Sequence, residues 1–565
     1  MLRRAAIVLL LAATFALPAH AQGVELMPGV NYEKTIEFTP HGAVVLHVIT
    51  MPRPGDQDGL YQLAPVLARG TILGGRERVT QIEKEVSTGA TVAGINGDYF
   101  GATDAHPAGI FMSGGFLANP PLASRSSIGV DLAGALHVDR VRFFGTWQGT
   151  GQRRALAGLN LQPSQGQAVL FTPAYGPRVP AIPGSAEAIL QAFPAATPNA
   201  ELTASVTATG VNGREPIPPG GAVLQATGSL AAKLQAEAPV GTTVATRLIL
   251  QPSWAGVTAA LGGGPLLVRG GAPVFRSLED FTNDQVTART PRAGVGQLAD
   301  GRVILVAVDG GQPGYSVGLT AYELGQAMAR LGAVTAAGVE AGDDVTVAFD
   351  GQLLNHPRAG ERAVKEALLV QYFGVYAAQP PLPLLTGEPG KTAEPLSYKL
   401  VRPSLVTAQL IGPDGAAHVL ETNVQHDPGS YPFAFSAFDQ EGTWHWNVTA
   451  TDDLKRTSTI DRAFRYDATL TGLTASKPAH GTAIFHFTLS RAATVKPTIE
   501  TKGGVVIRAL AAASLQPGAQ SLAWDGRLPR GSRAFGGAYV ADLAVTSEVG
   551  TSDLTVPFTF TRVAP

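Results

Sequence analysis

Residues 303–332 read VILVAVDGGQPGYSVGLTAYELGQAMARLG, which places a strand, a glycine-rich loop and a helix in direct succession. Residues 303–308 are all apolar and Asp-Gly-Gly follows them, a pattern typical of a buried strand that ends in a turn. Thr320 and Glu323 have the spacing of a capping box, and Gly332 marks the helix end. One face of this helix is apolar, at Leu324, Ala327, Met328 and Leu331. The stretch predicts a helix packed on a sheet.

The rest of residues 22–378 has the same mixed character. Apolar segments at 44–49 and 367–370 are typical of strands, and Gly, Pro and Asp turns bound most such segments. The chain contains 66 glycines and 41 prolines, which favours many turns and short strands. We expect an α+β domain over residues 22–378, with a central β-sheet and few helices.

The C-terminal part predicts only strands. Residues 379–395 are rich in proline and glycine, which cannot continue a helix or a central strand, and we interpret them as a linker. Two all-β modules are expected after it, at 396–470 and 471–565. Within the first module, residues 433–438 and 443–448 resemble the two strands of a hairpin.

The amino terminus has the pattern of an export signal. Two arginines precede an apolar run at residues 5–17, and Ala19-His20-Ala21 matches the small-x-small cleavage pattern. The run is shorter than the roughly 20 apolar residues that span a bilayer, so residues 1–21 predict a cleaved signal peptide rather than a transmembrane anchor. We expect a secreted or periplasmic protein.

Composition excludes several classes of function. The net charge is −2 with no basic block, whereas a nucleic-acid partner requires a concentrated Lys/Arg face. Cysteine is absent, which excludes disulfides, thiolate zinc sites and a cysteine nucleophile. Folding must then depend on apolar cores, and 45% hydrophobic residues suffices for them.

Three polar clusters are candidates for chemistry. Asn96-Gly97-Asp98 follows a strand-like segment, and its glycine would allow a ligand to approach closely; the alternative is an Asx turn that bonds only local amides. The glycines at 262–264 precede a strand and could present amides to a phosphate, but no P-loop ending follows. Arg289 and Arg292 match phosphate or carboxylate oxygens, although exposed arginines often bind nothing specific.

Asp309 is the fourth candidate. It stands at the end of the apolar run 303–308, where a carboxylate is well placed for a site, and it is equally suited to opening a turn.

Several ordered motifs resemble the phosphodiester glycosidase family. The similarity extends over about residues 31–376 and combines blocks that are weak alone. The blocks are Asn96 to Phe100, Gly262 to Pro265, Arg289 to Arg292, Asp309-Gly310, Tyr315 to Thr320 with the following helix, Leu354 to Pro357, and Glu361-Arg362.

This resemblance implies hydrolysis of a sugar-1-phosphodiester of the N-acetylglucosamine-1-phosphate type in envelope or extracellular glycan. It implies that Asp98 and Asp309 are the catalytic acid/base pair, with the assignment between them left open. Arg292, with Arg289, would bind the phosphate. The resemblance also implies substrate contacts for five other residues, which are Asn96, Gly263, Gly264, Ser316 and Asn355.

One loop departs from the family pattern of an aspartate followed by three glycines and serines. This chain has Glu340, Asp343 and Asp344 where aspartate, glycine and serine are expected. The added side chains and charges would repel a phosphate. Alternatively, the three acids would hold a divalent cation such as calcium through oxygen ligands. A third interpretation is a non-catalytic glycan-binding or envelope-structural protein with a degenerate site.

The last module has a resemblance of its own. Residues 487–495, 504–510, 522–527 and 537–539 are similar to the Ig-like domain of the flagellar hook-capping protein, and 396–470 resembles a diverged relative. The similarity implies two Ig-like sandwiches and attachment of the enzyme-like domain to the cell envelope. Phe487, Trp524 and Tyr539 are interpreted as core residues, with glycan stacking as the alternative.

Overall fold

The computed structural model of the 565-residue chain describes residues 23–55, 59–101, 106–380, 396–433, 435, 440–476, 481–502 and 504–561. The predicted signal peptide and residues 381–395 of the predicted linker lie outside these ranges. The chain divides into two compact units. The first unit contains the residues up to Glu85 and Val92–Gln371, and the second contains Val86–Thr91 and the residues from Tyr372 onward. The predicted domain bounds stay a prediction.

An eight-stranded sheet, here called the main sheet, forms the centre of the first unit. All its neighbouring strands are antiparallel. In spatial order its strands are Val24–Met27, Val30–Thr39, Gly42–Met51, Val303–Val308, Arg292–Leu298, Ala333–Gly338, Leu266–Arg269 and Ala272–Pro273.

Val303–Val308 is buried over its whole length, as its apolar run predicts. The helix Ala321–Arg330 packs beside this sheet, with Leu324 and Met328 in one core with Val306 and Val308. Thr320 and Glu323 form the predicted capping box, and Gly332 follows the helix with a φ of 94°. The strand–loop–helix prediction is confirmed.

Four further sheets complete the first unit. The first has five strands, which are Gln352–Leu353, Val347–Phe349, Thr91–Asn96, Glu366–Tyr372 and Tyr61–Leu67. The second also has five, which are Leu136–Asp139, Ser127–Asp131, Val257–Gly262, Phe111–Ser113 and Phe116–Asn119. The third has eight, which are Arg154–Leu156, Arg142–Gln148, Thr243–Gln251, Glu201–Val211, Ala186–Gln191, Ala222–Ala226, Ala168–Phe171 and Gly158–Leu159, and the fourth pairs Glu77–Arg78 with Ala363–Val364. The other helices in the described ranges are Val79–Val86, Ser229–Glu237, Asn283–Thr287 and the 3₁₀ turn Ala68–Gly70.

Three neighbouring strands of the main sheet bring several chain segments together at one of their ends. Asp309 follows the end of Val303–Val308, and Arg292 begins the neighbouring antiparallel strand opposite Val308. The strand Ala333–Gly338 runs beside Arg292–Leu298 and leads to Glu340. Most of the candidate residues therefore lie near this end of the strands.

The second unit contains only strands among its residues from 372 onward that the structure describes. Its first module pairs Leu396–Leu400 with Gly429–Phe433 and has a sheet of Ala417–His426, Ser404–Ile411, Gly442–Asp452 and Thr457–Tyr466. Its second module has sheets of Leu470–Ala475, Ala483–Leu489 and Gly518–Trp524, and of Val506–Ala509, Ala493–Thr501, Gly537–Ser547 and Gly550–Phe560, with Ala513–Leu515 beside Ala493–Thr501. The predicted fold class is confirmed.

The predicted hairpin joins residues 433–438 to 443–448; residues 434 and 436–439 lie outside the described residues, and the described flanks have other partners. The strand that ends at Phe433 pairs with Leu396–Leu400, and Gly442–Asp452 pairs with Ser404–Ile411 and Thr457–Tyr466. Trp444 and Trp446 alternate into the core on the long strand, and this two-residue period is satisfied by either neighbour. Local alternation therefore identified the strand but not its partner.

The aromatic residues of the last module are core residues, as predicted. Trp524 is fully buried, and its Nε1 donates to the carbonyl of Arg527 at 3.1 Å. Its ring lies 4.8 Å from that of Phe560, and Phe487 and Tyr539 belong to the same cluster.

We expect Trp524→Ala to lower the free energy of unfolding of the second unit by about 3–5 kcal/mol, because it leaves a large cavity in this core. Denaturant titration of the full chain measures the loss. Phe535→Ala is the matched control, since Phe535 is 76% exposed, and a change within about 0.5 kcal/mol is expected there. Equal effects of the two variants would contradict the core role of Trp524.

Candidate functional site

Asn96 ties two distant parts of the chain together. It ends the strand Thr91–Asn96 and is fully buried. Its Nδ2 donates to the carbonyl of Glu340 at 2.9 Å, and its Oδ1 accepts from the N–H of Thr346 at 3.1 Å. The interpretation as a purely local Asx turn is therefore wrong for Asn96, since its amide holds both ends of the departing loop.

Asp98 lies in a tight, largely dry environment. Its Oδ2 accepts from the N–H of Gly109 at 2.7 Å, and only 3% of the residue is exposed. A Cβ atom on Gly262 would overlap the carboxyl group, so glycine is required there. Burial raises the pKa of Asp98 to about 7, although backbone hydrogen bonds from Tyr99 and Gly109 and the charge of Arg125 oppose the rise. Asp98 is thus a carboxyl group that retains a proton near neutral pH.

Two further acids lie beside Asp98. Oε1 of Glu366 accepts from the N–H of Asp98 at 3.1 Å, and its Oε2 is buried without a hydrogen-bond partner. Burial and then the charge of Asp98 hold the pKa of Glu366 well above its usual value. Burial, Asp344 and Asp98 raise the pKa of Glu340 to about 9. Sequence reasoning missed Glu366, because it stands in a strand-like segment outside every motif.

Asp309 has the opposite environment. Its carboxylate accepts from Nδ2 of Asn355 and the hydroxyl of Tyr315, both at 3.0 Å, and from the N–H of His356. Nε2 of His47 lies 3.0 Å from Oδ2, and Nδ1 of the same ring lies 2.7 Å from the hydroxyl of Tyr32.

Burial alone would raise the pKa of Asp309, but the hydrogen bonds from His47, His356 and Asn355 outweigh it and hold the pKa below its usual value. An ionised Asp309 only accepts, so Nε2 of His47 carries a proton and donates it in a hydrogen bond to the carboxylate. Four donors occupy the carboxylate, which therefore orients His47 and Tyr315. His47 was not found from the sequence, since it lies within an ordinary apolar strand.

The structure brings Ser316 and Asn355 to Asp309. The hydroxyl of Ser316 bonds the carbonyl of Asp309 and accepts from the N–H of Val45 at 3.0 Å. Oδ1 of Asn355 accepts from the N–H of Val347 at 3.0 Å. Both side chains are buried and bonded within the protein, so their predicted contacts with sugar hydroxyls stay a prediction.

The two predicted phosphate-binding arginines already have partners. Arg289 forms a bidentate pair with the capping-box carboxylate Glu323, with one contact of 2.6 Å. Arg292 is 3% exposed and donates to the carbonyls of three residues, Leu319, Gln285 and Ala288, at 3.0, 2.6 and 2.9 Å. Burial lowers the pKa of Arg292. Its charge is thus used to hold the short helix Asn283–Thr287 beside the loop before Thr320.

Gly263 and Gly264 do not present free amides. The N–H of Gly263 donates to Ser126 and that of Gly264 to Gly338, at 3.1 and 2.8 Å. A Cβ at Gly264 would collide with Glu279 and Phe281. These glycines allow the chain segments to pack closely, and their amides are bonded to carbonyls rather than open to a phosphate.

The predicted cation site at Glu340, Asp343 and Asp344 stays a prediction. Among the residues that the structure describes, no group of three acids or histidines has a metal-binding arrangement. Asp343 instead pairs with Arg358 and Arg362, both at 3.1 Å. The arginines that follow in the chain neutralise this acid.

A cleft of about 740 Å³ opens next to Asp98 in the first unit. Tyr99, which follows Asp98 in the chain, and Ala108, which precedes Gly109, both line it. Its walls combine aromatic and polar side chains, including Phe100, His106, Arg125, Tyr175 and Gln285. Flat rings and hydrogen-bonding groups together suit a sugar.

The raised pKa values predict how stability depends on pH. Asp98 rises from 3.8 to about 7 and Glu340 from 4.5 to about 9, so folding favours their protonated forms. Their contribution to the free energy of unfolding is complete below the unfolded pKa and is lost as pH rises through the folded pKa. We expect stability to decline from pH 5 to pH 9, and Glu340→Gln to flatten the decline above pH 7, as measured by denaturant titration. Glu37→Gln is the exposed control; equal slopes in both variants would refute this account.

Comparisons with known proteins match part of the chain. Residues 196–371 match the family model for phosphodiester glycosidase. A hypothetical protein from Synechocystis of known structure is 24% identical with a TM-score of 0.51, over 61% of this chain, which spans 62% of that protein's length. The catalytic domain of zebrafish N-acetylglucosamine-1-phosphodiester alpha-N-acetylglucosaminidase, auto-inhibited by its pro-peptide, is 13% identical with a TM-score of 0.34, over 62% of this chain and 85% of that one. No curated protein matches the chain. The resemblance predicted from the sequence is confirmed, since residues 196–371 match the phosphodiester glycosidase family.

Proposed function

We propose that the first unit hydrolyses a sugar-1-phosphodiester, of the N-acetylglucosamine-1-phosphate type, in envelope or extracellular glycan. The observation that carries this proposal is the buried carboxyl group of Asp98, whose pKa burial raises to about 7, next to a cleft with aromatic and cationic walls. The family match supports the class of reaction. The export pattern of residues 1–21 supports a secreted or periplasmic location.

The chemistry follows from the charge that develops during cleavage. When water attacks the anomeric carbon, the C1–O bond breaks and negative charge collects on the phosphate oxygen. A protonated carboxyl group stabilises that oxygen by donating a hydrogen bond or its proton. The opposite pKa shifts of Asp98 and Asp309 support Asp98 as the acid and Asp309 as an ionised carboxylate. Asp309 then acts through the side chains it orients, which are His47 and Tyr315.

The second unit would present the enzyme at the cell envelope, as the Ig-like resemblance implies. In the part of the chain that the structure describes, no helix is long and apolar enough to cross a membrane. The Ig-like resemblance implies attachment through the surfaces of the β-modules.

A non-catalytic glycan-binding protein is the second candidate. The observation that favours it is the departing loop, where Glu340 leaves an unpaired buried oxygen beside Asp98. A buried oxygen without a partner destabilises the fold, because it has lost its contacts with water. The Glu340 side chain also narrows the space near Asp98. The two candidates share the cleft and differ in turnover.

Asp98→Asn tests the enzyme. We expect it to lower kcat for a GlcNAc-1-phosphodiester by about 100-fold or more, since general acid catalysis contributes about 10²–10⁴-fold. The wild-type rate should fall as pH rises above 7, because Asp98 then loses its proton. Asp300→Asn is the control, since Asp300 is exposed and pairs only with Arg302 in the described part of the chain. Unchanged turnover in Asp98→Asn would remove Asp98 from the mechanism.

Substitutions in the loop at residues 340–344 distinguish the enzyme from the non-catalytic glycan-binding protein. We expect the triple change Glu340→Asp, Asp343→Gly, Asp344→Ser to raise turnover, because it removes the charges of Asp343 and Asp344 and shortens the acid beside Asp98. The same phosphodiester assay measures the gain. If parent and variant both bind the glycan without turnover, the non-catalytic candidate is correct.

A further inference from the structure

The cleft beside Asp98 contains a cation that none of the family motifs includes. Arg125 precedes the strand Ser127–Asp131 and lines the cleft together with Tyr99. Its Nε donates to the carbonyl of Asp280 at 3.0 Å. In the described part of the chain, the terminal nitrogens of Arg125 have no hydrogen-bond or ion-pair partner. The side chain is only partly buried, so these donors can meet a ligand.

Two aromatic rings hold the guanidinium of Arg125 in place. Its central carbon lies 5.0 Å from the ring centroid of Tyr99 and 4.3 Å from that of Phe281. The rings of Tyr99 and Phe281 are themselves 5.5 Å apart. Stacking on aromatic faces orients the planar fork without using its terminal donors, which is the arrangement that suits binding of a phosphate. The position is thus organised before any ligand arrives.

The other arginines of the predicted phosphate site are less suited. Arg289 is neutralised by Glu323, and a phosphate would have to displace that carboxylate. Arg292 lies behind the wall of the cleft, because its Nη1 donates to the carbonyl of Gln285, whose residue lines the cleft. To bind a phosphate, Arg292 would have to give up its contacts with these three carbonyls.

We propose that Arg125 binds the phosphate group of the substrate in this cleft, and that Arg292 is a positioning residue that holds the cleft wall. This inference rests on the proposed function for the identity of the substrate. Tyr99, which stacks on Arg125, directly follows Asp98 in the chain, so a phosphate bound at Arg125 lies close to the candidate acid. The sugar would then contact the aromatic walls of the cleft.

Calorimetric titration of the full chain with GlcNAc-1-phosphate and with free GlcNAc tests this inference. We expect Arg125→Gln to weaken the binding of GlcNAc-1-phosphate by about 10- to 100-fold, because charge-assisted hydrogen bonds are lost. The affinity for GlcNAc should stay nearly unchanged. Arg125→Lys should recover part of the affinity, because it restores the charge but not the fork. Arg302→Gln, at an exposed residue that pairs with Asp300, is the control and should bind both ligands as the parent does.

The results distinguish this inference from the proposed function. Wild-type affinity of Arg125→Gln for GlcNAc-1-phosphate, or equal losses for both ligands, would overturn the role of Arg125 even if the enzyme turns over. Loss of phosphate affinity in a chain that never hydrolyses a GlcNAc-1-phosphodiester would support Arg125 and overturn the enzyme. A wild-type chain that binds neither ligand would overturn both.

Discussion

Two side-chain amides hold the functional region together. Asn96 bonds the carbonyl of Glu340 and the N–H of Thr346, and Asn355 bonds the carbonyl of Val345 and the N–H of Val347. The loop after the main-sheet strand Ala333–Gly338 is thereby bonded on both sides to buried groups. Each amide satisfies a donor and an acceptor at once, and unpaired buried groups of this kind cost about 1–3 kcal/mol each. The relative placement of Asp98 and Asp309 depends on this double attachment.

Asp98 and Asp309 differ in the number of hydrogen-bond donors that surround them. Asp98 is enclosed by glycines and other acids, with few donors to stabilise a charge, whereas Asp309 receives donors from three chain segments. Opposite protonation states therefore follow from hydrogen-bond supply rather than from residue type. Both aspartates stand in strand-end turns in the sequence, where this difference is invisible.

Local patterns were sufficient for local structure. The capping box at Thr320 and the apolar strand 303–308 involve neighbours in the chain, so their spacing predicted them correctly. Interactions between distant segments were not predictable, since Glu366 reaches Asp98 from 268 positions away. The pairing of Asp343 with Arg358 and Arg362, which are closer in the chain, was not predicted either. A partner for a charge is chosen by the fold, which composition and spacing do not describe.

Glu323 shows a further consequence of shared contacts. One carboxylate caps the helix Ala321–Arg330 through the N–H of Thr320 and also pairs with Arg289. A substitution of Arg289 leaves the Glu323 carboxylate in place as a helix cap. A substitution of Glu323 removes a helix-capping bond and, at the same time, leaves Arg289 without its carboxylate partner. The two positions are therefore unequal. A substitution at 323 leaves only the hydroxyl of Thr320, which accepts from the backbone N–H of residue 323, to cap the helix.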